Sequence, residues 1–136
     1  MSITNQHVLH ICKVDLDIYE CISIDIASDE VIITDKQFEH IRHSHPEIGS
    51  INLLSIGDAL LNPDYIFRDN KNPNTGIVVK HLRNPNQNNI LVVMRVATFV
   101  DTGLLNSVIS SWTISEKKLN NYIRNKELLY KREDME

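Results

Sequence analysis

The sequence is poor in cysteine, glycine, proline and aromatic residues, and it lacks a long apolar run. Its 136 residues include two cysteines, four glycines, four prolines and one tryptophan. No stretch approaches the roughly 20 apolar residues that span a bilayer, so no membrane segment is expected. The start, "MSITNQHVLH", lacks a basic region followed by an apolar run, which predicts no signal peptide and a cytoplasmic protein. Cys12 and Cys21 are therefore expected as reduced thiols, and two cysteines alone make no zinc site.

The remaining composition is that of an ordinary globular domain. Hydrophobic residues make up 42% of the chain and charged residues 24%. With no repeat or linker visible, residues 1–136 are expected to form one domain that buries a core.

Charge is unevenly distributed along the chain, whose net charge is −4. Residues 1–65 hold three basic and eleven acidic residues, a balance of −8. Residues 66–99 hold five basic residues against one acid, a balance of +4, and residues 100–136 balance. The total argues against a nucleic-acid partner, but a basic middle can attract phosphate locally. Chance clustering on a solvated sheet edge explains the same pattern.

The order of strand-like and helix-like segments along the sequence predicts an α+β fold. Residues 1–33 are expected as extended N-terminal strands, followed by an α+β core over 34–132. A helix is predicted from a Thr34 cap to His45, and a second over 52–61. About four strands joined by short turns then predict an antiparallel meander, with both helices packed on one of its faces. A C-terminal helix is expected from Ser115, followed by a charged tail.

Three histidines gather at the predicted end of the first helix, in "FEHIRHSHPEIG". On a helical wheel His45 falls with Phe38 and Ile41, while His40 and His43 fall roughly opposite. The three are not expected to converge on one metal ion while the helix is regular. His40 and His43, spaced i, i+3, can share a metal, but no third ligand is apparent nearby, so no bound metal is predicted. At the helix end His45 is placed for proton transfer near neutral pH. The alternative is a half-buried histidine bonded to a backbone carbonyl.

The meander also suggests a cluster of cations and hydroxyls. We assume that one hairpin pairs Arg83 with Ile90 and the next pairs Phe99 with Ser107. One face of the sheet then carries Lys80, Arg95, Ser111 and Thr113. Fixed donors of this kind suit the developing charge of a phosphodiester in transition. The alternative is an exposed sheet face of ordinary composition.

The order of these parts resembles the phage-type members of the barnase–EndoU–colicin–RelE-like nucleases. The resemblance covers roughly residues 31 to 132 through "FEHIRHSHPEI", "GDALLNPDYIF", "GIVVKHL", "NILVVMRV", "SVISSWTI" and "ELLYKRE". It implies a metal-independent ribonuclease with its active site on the sheet. His45, His40 and Lys80 match the helix histidines and the strand lysine of the family pattern. The hydroxyl of the last strand is matched best by Ser111, with Ser110 and Thr113 as alternatives.

The leading hypothesis is thus a metal-independent, cofactor-free endoribonuclease or toxin-like RNase domain. It would cleave RNA, such as tRNA, by attack of the ribose 2′-hydroxyl on the adjacent phosphate. His45 would transfer a proton, Lys80 and Arg95 would stabilise the phosphate, and Ser111 or Thr113 would orient it. An inhibitor or immunity protein would be a further partner. Two alternatives stay open: a non-catalytic RNA-binding or protein-binding module on this scaffold, and an acidic inhibitor-like protein that docks a basic partner.

Overall fold

A computed structural model describes residues 7–44, 53–82, 88–100 and 105–133 of the chain. Within these ranges the elements follow in the order β1 (Val8–Lys13), α1 (Leu16–Tyr19), β2 (Glu30–Thr34), α2 (Asp35–Ser44), α3 (Leu53–Leu61), β3 (Tyr65–Arg68), β4 (Thr75–His81), β5 (Asn89–Arg95), β6 (Asn106–Ile114), α4 (Glu116–Asn125) and β7 (Leu128–Lys131).

The seven strands form one sheet in the order β1-β2-β6-β5-β4-β3-β7. Strands β3 to β6 are neighbours in chain order and antiparallel, as the short turns between them predicted. The pairing of β2 with β6 is parallel and joins the N-terminal hairpin to this meander. The α+β class is confirmed, but the sheet is larger than the predicted four strands.

Local sequence signals set the ends of the helices. Thr34 caps α2, since its Oγ1 accepts a hydrogen bond from the Gln37 backbone N–H at 3.1 Å. The Gln37 side chain donates to the Ile109 carbonyl instead of returning to Thr34, so only half of the expected capping box forms. Helix α3 ends at Leu61, just before the Asn62-Pro63 stop. The predicted end of α2 at His45 lies outside the described residues.

Hydrophobic cores lie on both sides of the sheet. On one side, which we call the α2/α3 face, Ile41 and Ile56 of the helices pack with strand residues such as Val78 and Val92. On the other, the α4 face, Leu119 packs with residues such as Leu91. The predicted packing of both early helices on one face is therefore confirmed. Among the described residues no helix has the length and apolar character needed to cross a membrane.

Three segments differ from the prediction. Residues 20–29, expected as extended strand, form turns with one isolated bridge between Ile26 and Thr98. Residues 16–19, expected as strand, form the short helix α1. Its N-cap is Asp15, whose side chain accepts a hydrogen bond from the Asp17 backbone N–H at 2.9 Å. Residues 128–131, expected as tail, form β7, which pairs with the edge of β3. A four-residue helix is too short to show periodicity, and β7 depends on a strand that is distant in the sequence.

Candidate functional site

The register of the meander decides which side chains share a face. The cross-strand partner of Ile90 is Lys80, not Arg83 as assumed, so the register of this hairpin is shifted by three residues. In the next hairpin Val92, not Arg95, pairs with Ser111. Both assumed registers were wrong by an odd number of residues, and an odd shift exchanges the faces of a strand. The middle of β4 and most of β5 are buried on both faces, so alternation of polar residues could not fix the register.

As a result, the four predicted site residues of the sheet do not all converge. Lys80 and Thr113 are both cross-strand partners of Ile90, so they lie on the α2/α3 face. Ser111, the partner of Val92, lies on the same face. Arg95 is an odd number of residues from Ile90 along β5, which places it on the α4 face. Arg95 and Lys80 therefore cannot hold the same phosphate oxygens.

Lys80 belongs to a group of charges that we call the Asp64 cluster, formed by Asp64, Lys80 and Arg132. Asp64 is only 1% exposed. Its Oδ1 lies 2.7 Å from Arg132 Nη1 and 3.7 Å from Lys80 Nζ. Its Oδ2 accepts a hydrogen bond from the His81 backbone N–H at 2.8 Å. One buried carboxylate thus holds two cations at the edge of the α2/α3 face.

The two cations contact Asp64 through charge rather than through well-directed hydrogen bonds. Within the described ranges, Asp64 Oδ1 has no partner with hydrogen-bond geometry. The side chains of Lys80 and Arg132 are 18% and 40% exposed. Arg132 also lines a surface depression together with Ile18, Tyr130 and the exposed Glu133. The formal charges of Asp64, Lys80 and Arg132 sum to +1, and both cations are partly exposed to solvent.

The two candidate hydroxyls have different surroundings. Ser111 is fully buried, and its Oγ donates to the Leu91 carbonyl at 2.7 Å. Because this hydroxyl is buried and donates to a backbone carbonyl, it is not accessible to a ligand. Thr113 is partly exposed and pairs with Ile90, which is also the cross-strand partner of Lys80. Of the two, Thr113 is the side chain that can reach a bound group. Ser110 pairs with Val93 and faces the other side.

The described histidines of α2 agree with the helical wheel. Ile41 is 2% exposed and packs in the core, whereas His40 and His43 are exposed. Glu39 lies 2.9 Å from Arg42 and 3.9 Å from His43 on this solvent-facing side. His45 lies outside the described residues, so its role stays a prediction. No group of three potential metal ligands occurs within the described ranges.

A second ionisable cluster lies on the α4 face. Glu116 Oε1 lies 3.3 Å from His81 Nδ1 and accepts a hydrogen bond from Asn89 Nδ2 at 3.0 Å. The Tyr65 ring meets His81 edge-on, with centroids 6.1 Å apart. Burial, aided by the negative charges of Asp64 and Glu116, raises the pKa of Tyr65. The cluster ties the end of β4 to the first turn of α4.

The sequence analysis did not single out Asp64 or Glu116, the acids at the centres of these clusters. Asp64 follows directly after the Asn-Pro stop of α3. Its partner Arg132 lies in the segment that was expected as a tail. An acid between a helix stop and a buried strand is a weak signal of a buried ion pair. Nothing local in the sequence pairs it with a cation 68 positions away; the pairing of β7 with β3 does so.

Comparison of the chain with protein-family models, with curated proteins and with solved structures gave no significant match.

Proposed function

We propose that the protein is a metal-independent endoribonuclease whose phosphate site is the Asp64 cluster on the α2/α3 face. The observation that carries the proposal is the pairing of two cations, Lys80 and Arg132, around one buried carboxylate. A buried charge is costly unless it is paired, and the single carboxylate of Asp64 is here shared by two positive side chains. A phosphate oxygen beside Lys80 would add negative charge where Lys80 has only a share of Asp64.

The chemistry requires stabilisation of the phosphate as negative charge develops on its oxygens. Lys80 is suited to this because Asp64 holds its ammonium in a partly buried position, where charge interactions are stronger than in water. Thr113 supplies a hydroxyl on the same face, on the far side of Ile90. Ser111 has a supporting role, since its hydrogen bond links β6 to β5 beneath this surface. Arg95 takes no part in this phosphate site.

Proton transfer is assigned to histidine. His45 follows α2, a helix that packs on the same face as Lys80 and contacts the strand of Thr113. In the proposed reaction His45 removes the 2′ proton or protonates the leaving 5′ oxygen. His40 is exposed on α2 and is proposed as an RNA contact or as the second proton-transfer residue.

The test compares matched variants on RNA. Lys80→Ala should slow cleavage by roughly 10²–10³-fold, the scale for losing one charge-stabilising group. His45→Ala should slow it by roughly 10²-fold or more, and His43→Ala should have the least effect. Lys36→Ala, which removes an exposed lysine from α2, is the control for a simple change of charge. Each variant must first give the circular dichroism spectrum and unfolding midpoint of a folded protein.

Wild-type activity with equal rates for Lys80→Ala and Lys36→Ala would reject the Asp64 cluster as the phosphate site. RNA binding without cleavage would favour the non-catalytic module instead.

A further inference from the structure

Helix α4 carries a basic groove that the proposed active site does not use. Ser115, Lys117, Lys118, Asn121 and Arg124 line it. Positions 117, 121 and 124 are spaced by four and three residues, which puts them on one side of the helix. None of the described lining residues is acidic, and all five are exposed. We call this surface the α4 groove.

The acids nearest to the α4 groove in sequence are occupied elsewhere. Glu116 is held by Asn89 at 3.0 Å and lies 3.3 Å from His81, on the side of the helix that faces the sheet. Glu127 lies 3.1 Å from Arg68 Nε and accepts its hydrogen bond. The described lining residues of the groove therefore carry three cations and no carboxylate, although the whole chain is acidic.

The α4 groove begins at the end of the sheet that carries the proposed phosphate site. Ser115 lies two residues after Thr113, and its side chain caps α4 by accepting from the Lys118 backbone N–H at 3.1 Å. Thr113 and Lys80 share one row of the sheet, and the next row contains His81 and Ile114. A strand of RNA bound at the Lys80–Thr113 row reaches the start of the groove at Ser115 by passing around this end of the sheet onto the α4 face.

We propose that the α4 groove binds the phosphodiester backbone of single-stranded RNA next to the cleavage site. The inference rests on the proposed function for its choice of RNA as the partner. At 1.5 Å of rise per residue, Lys117 and Arg124 are about 10 Å apart along the helix, enough for about two phosphates. Continuity with the phosphate site favours RNA over an acidic peptide.

The test measures binding separately from cleavage. The probe is a short single-stranded RNA with 2′-O-methyl groups on every ribose, which lacks the attacking hydroxyl. Binding is measured between about 50 and 200 mM salt for the wild type and for Lys117→Ala/Arg124→Ala. The matched control is Lys13→Ala/Lys36→Ala, which removes two exposed cations from β1 and α2. Alanine is the best helix former, so α4 should be retained, and circular dichroism checks this.

Each phosphate contact to a single strand contributes about 0.7 to the slope of log K against log salt. The α4 double variant should therefore lose about 1.4 from the slope, while the control keeps the wild-type slope. With cleavable RNA, KM should rise and kcat at saturating RNA should stay unchanged. Equal slopes of log K against log salt for the two double variants would show that the α4 groove does not bind the RNA backbone.

The two proposals fail in different ways. If wild-type protein cleaves RNA but the α4 double variant binds the probe as the wild type does, the groove alone is wrong. If the wild type binds the probe with the expected slope loss in the variant but cleaves nothing, the groove stands and the nuclease is wrong. A wild-type protein that binds no probe overturns the groove.

Discussion

Asp64 offers the sharpest structural prediction, because its buried carboxylate ties the start of β3 to two other parts of the chain, the end of β4 and the residue after β7. Replacing it with alanine removes the carboxylate that Lys80 and Arg132 share and the acceptor of the His81 backbone N–H. Removing one partner of a buried ion pair costs about 3–5 kcal/mol. The cations here are 18% and 40% exposed and can regain water, which reduces that cost. An amide left unpaired adds about 1–3 kcal/mol.

We therefore expect Asp64→Ala to lower the free energy of unfolding by about 3 kcal/mol. Asp64→Asn keeps an acceptor for the His81 amide and should cost less. Urea unfolding followed by circular dichroism measures both; with a slope of about 1.5–2 kcal/mol/M the midpoint should fall by about 1.5–2 M for the alanine variant. In a Lys80→Met background the cost of Asp64→Ala should shrink, because one stranded cation is gone.

A loss below about 1 kcal/mol for Asp64→Ala, or an equal loss for the alanine and asparagine variants, would refute this account of the cluster.

Three further predictions follow from the core. Gly76→Ala should cost about 1–3 kcal/mol, because its Cβ would lie 2.5 Å from Ile22 Cδ1, and Ile22→Val should relieve part of the cost in urea unfolding. Tyr19→Phe should cost about 1–2 kcal/mol by the same assay, since the fully buried hydroxyl donates to the Leu60 carbonyl at 2.6 Å. Burial raises the pKa of Cys12 and of Cys21 from 9.0 to about 11, so iodoacetamide should modify both slowly at pH 8 until urea unfolds the chain. The same shift contributes stability that is fully present below pH 9 and is lost as the pH rises through about 11.

The sequence predicted those elements whose signals are local. Thr34 and Asn62-Pro63 mark helix ends, and turn residues separate the strands from β3 to β6. The register could not be predicted, because Val78 and Val92 lie in strands that are buried on both faces. The hairpins therefore lacked the polar alternation that would reveal a slip.

The wrong register also explains why only part of the candidate site was predicted. Lys80 and Thr113 do share a face, but Arg95 does not, since the register differs from the assumed one by three residues. Asp64 and Arg132 were missed because their pairing depends on β7, a strand that forms only against the edge of β3. Contacts between distant segments are set by tertiary packing, not by local pattern.

Whether the protein is a metal-independent ribonuclease that uses Lys80 is tested by incubating RNA with wild-type protein, Lys80→Ala and Arg95→Ala in the presence of a chelator. Wild-type cleavage should persist and leave 2′,3′-cyclic phosphate ends, because the 2′-hydroxyl is the nucleophile. Lys80→Ala should be slower by roughly 10²–10³-fold, while folded Arg95→Ala stays near the wild type, because it lies on the opposite face. The proposed ribonuclease is wrong if the wild type cleaves no RNA or if the chelator abolishes cleavage. A larger loss for Arg95→Ala than for Lys80→Ala would overturn Lys80 as the phosphate-stabilising residue.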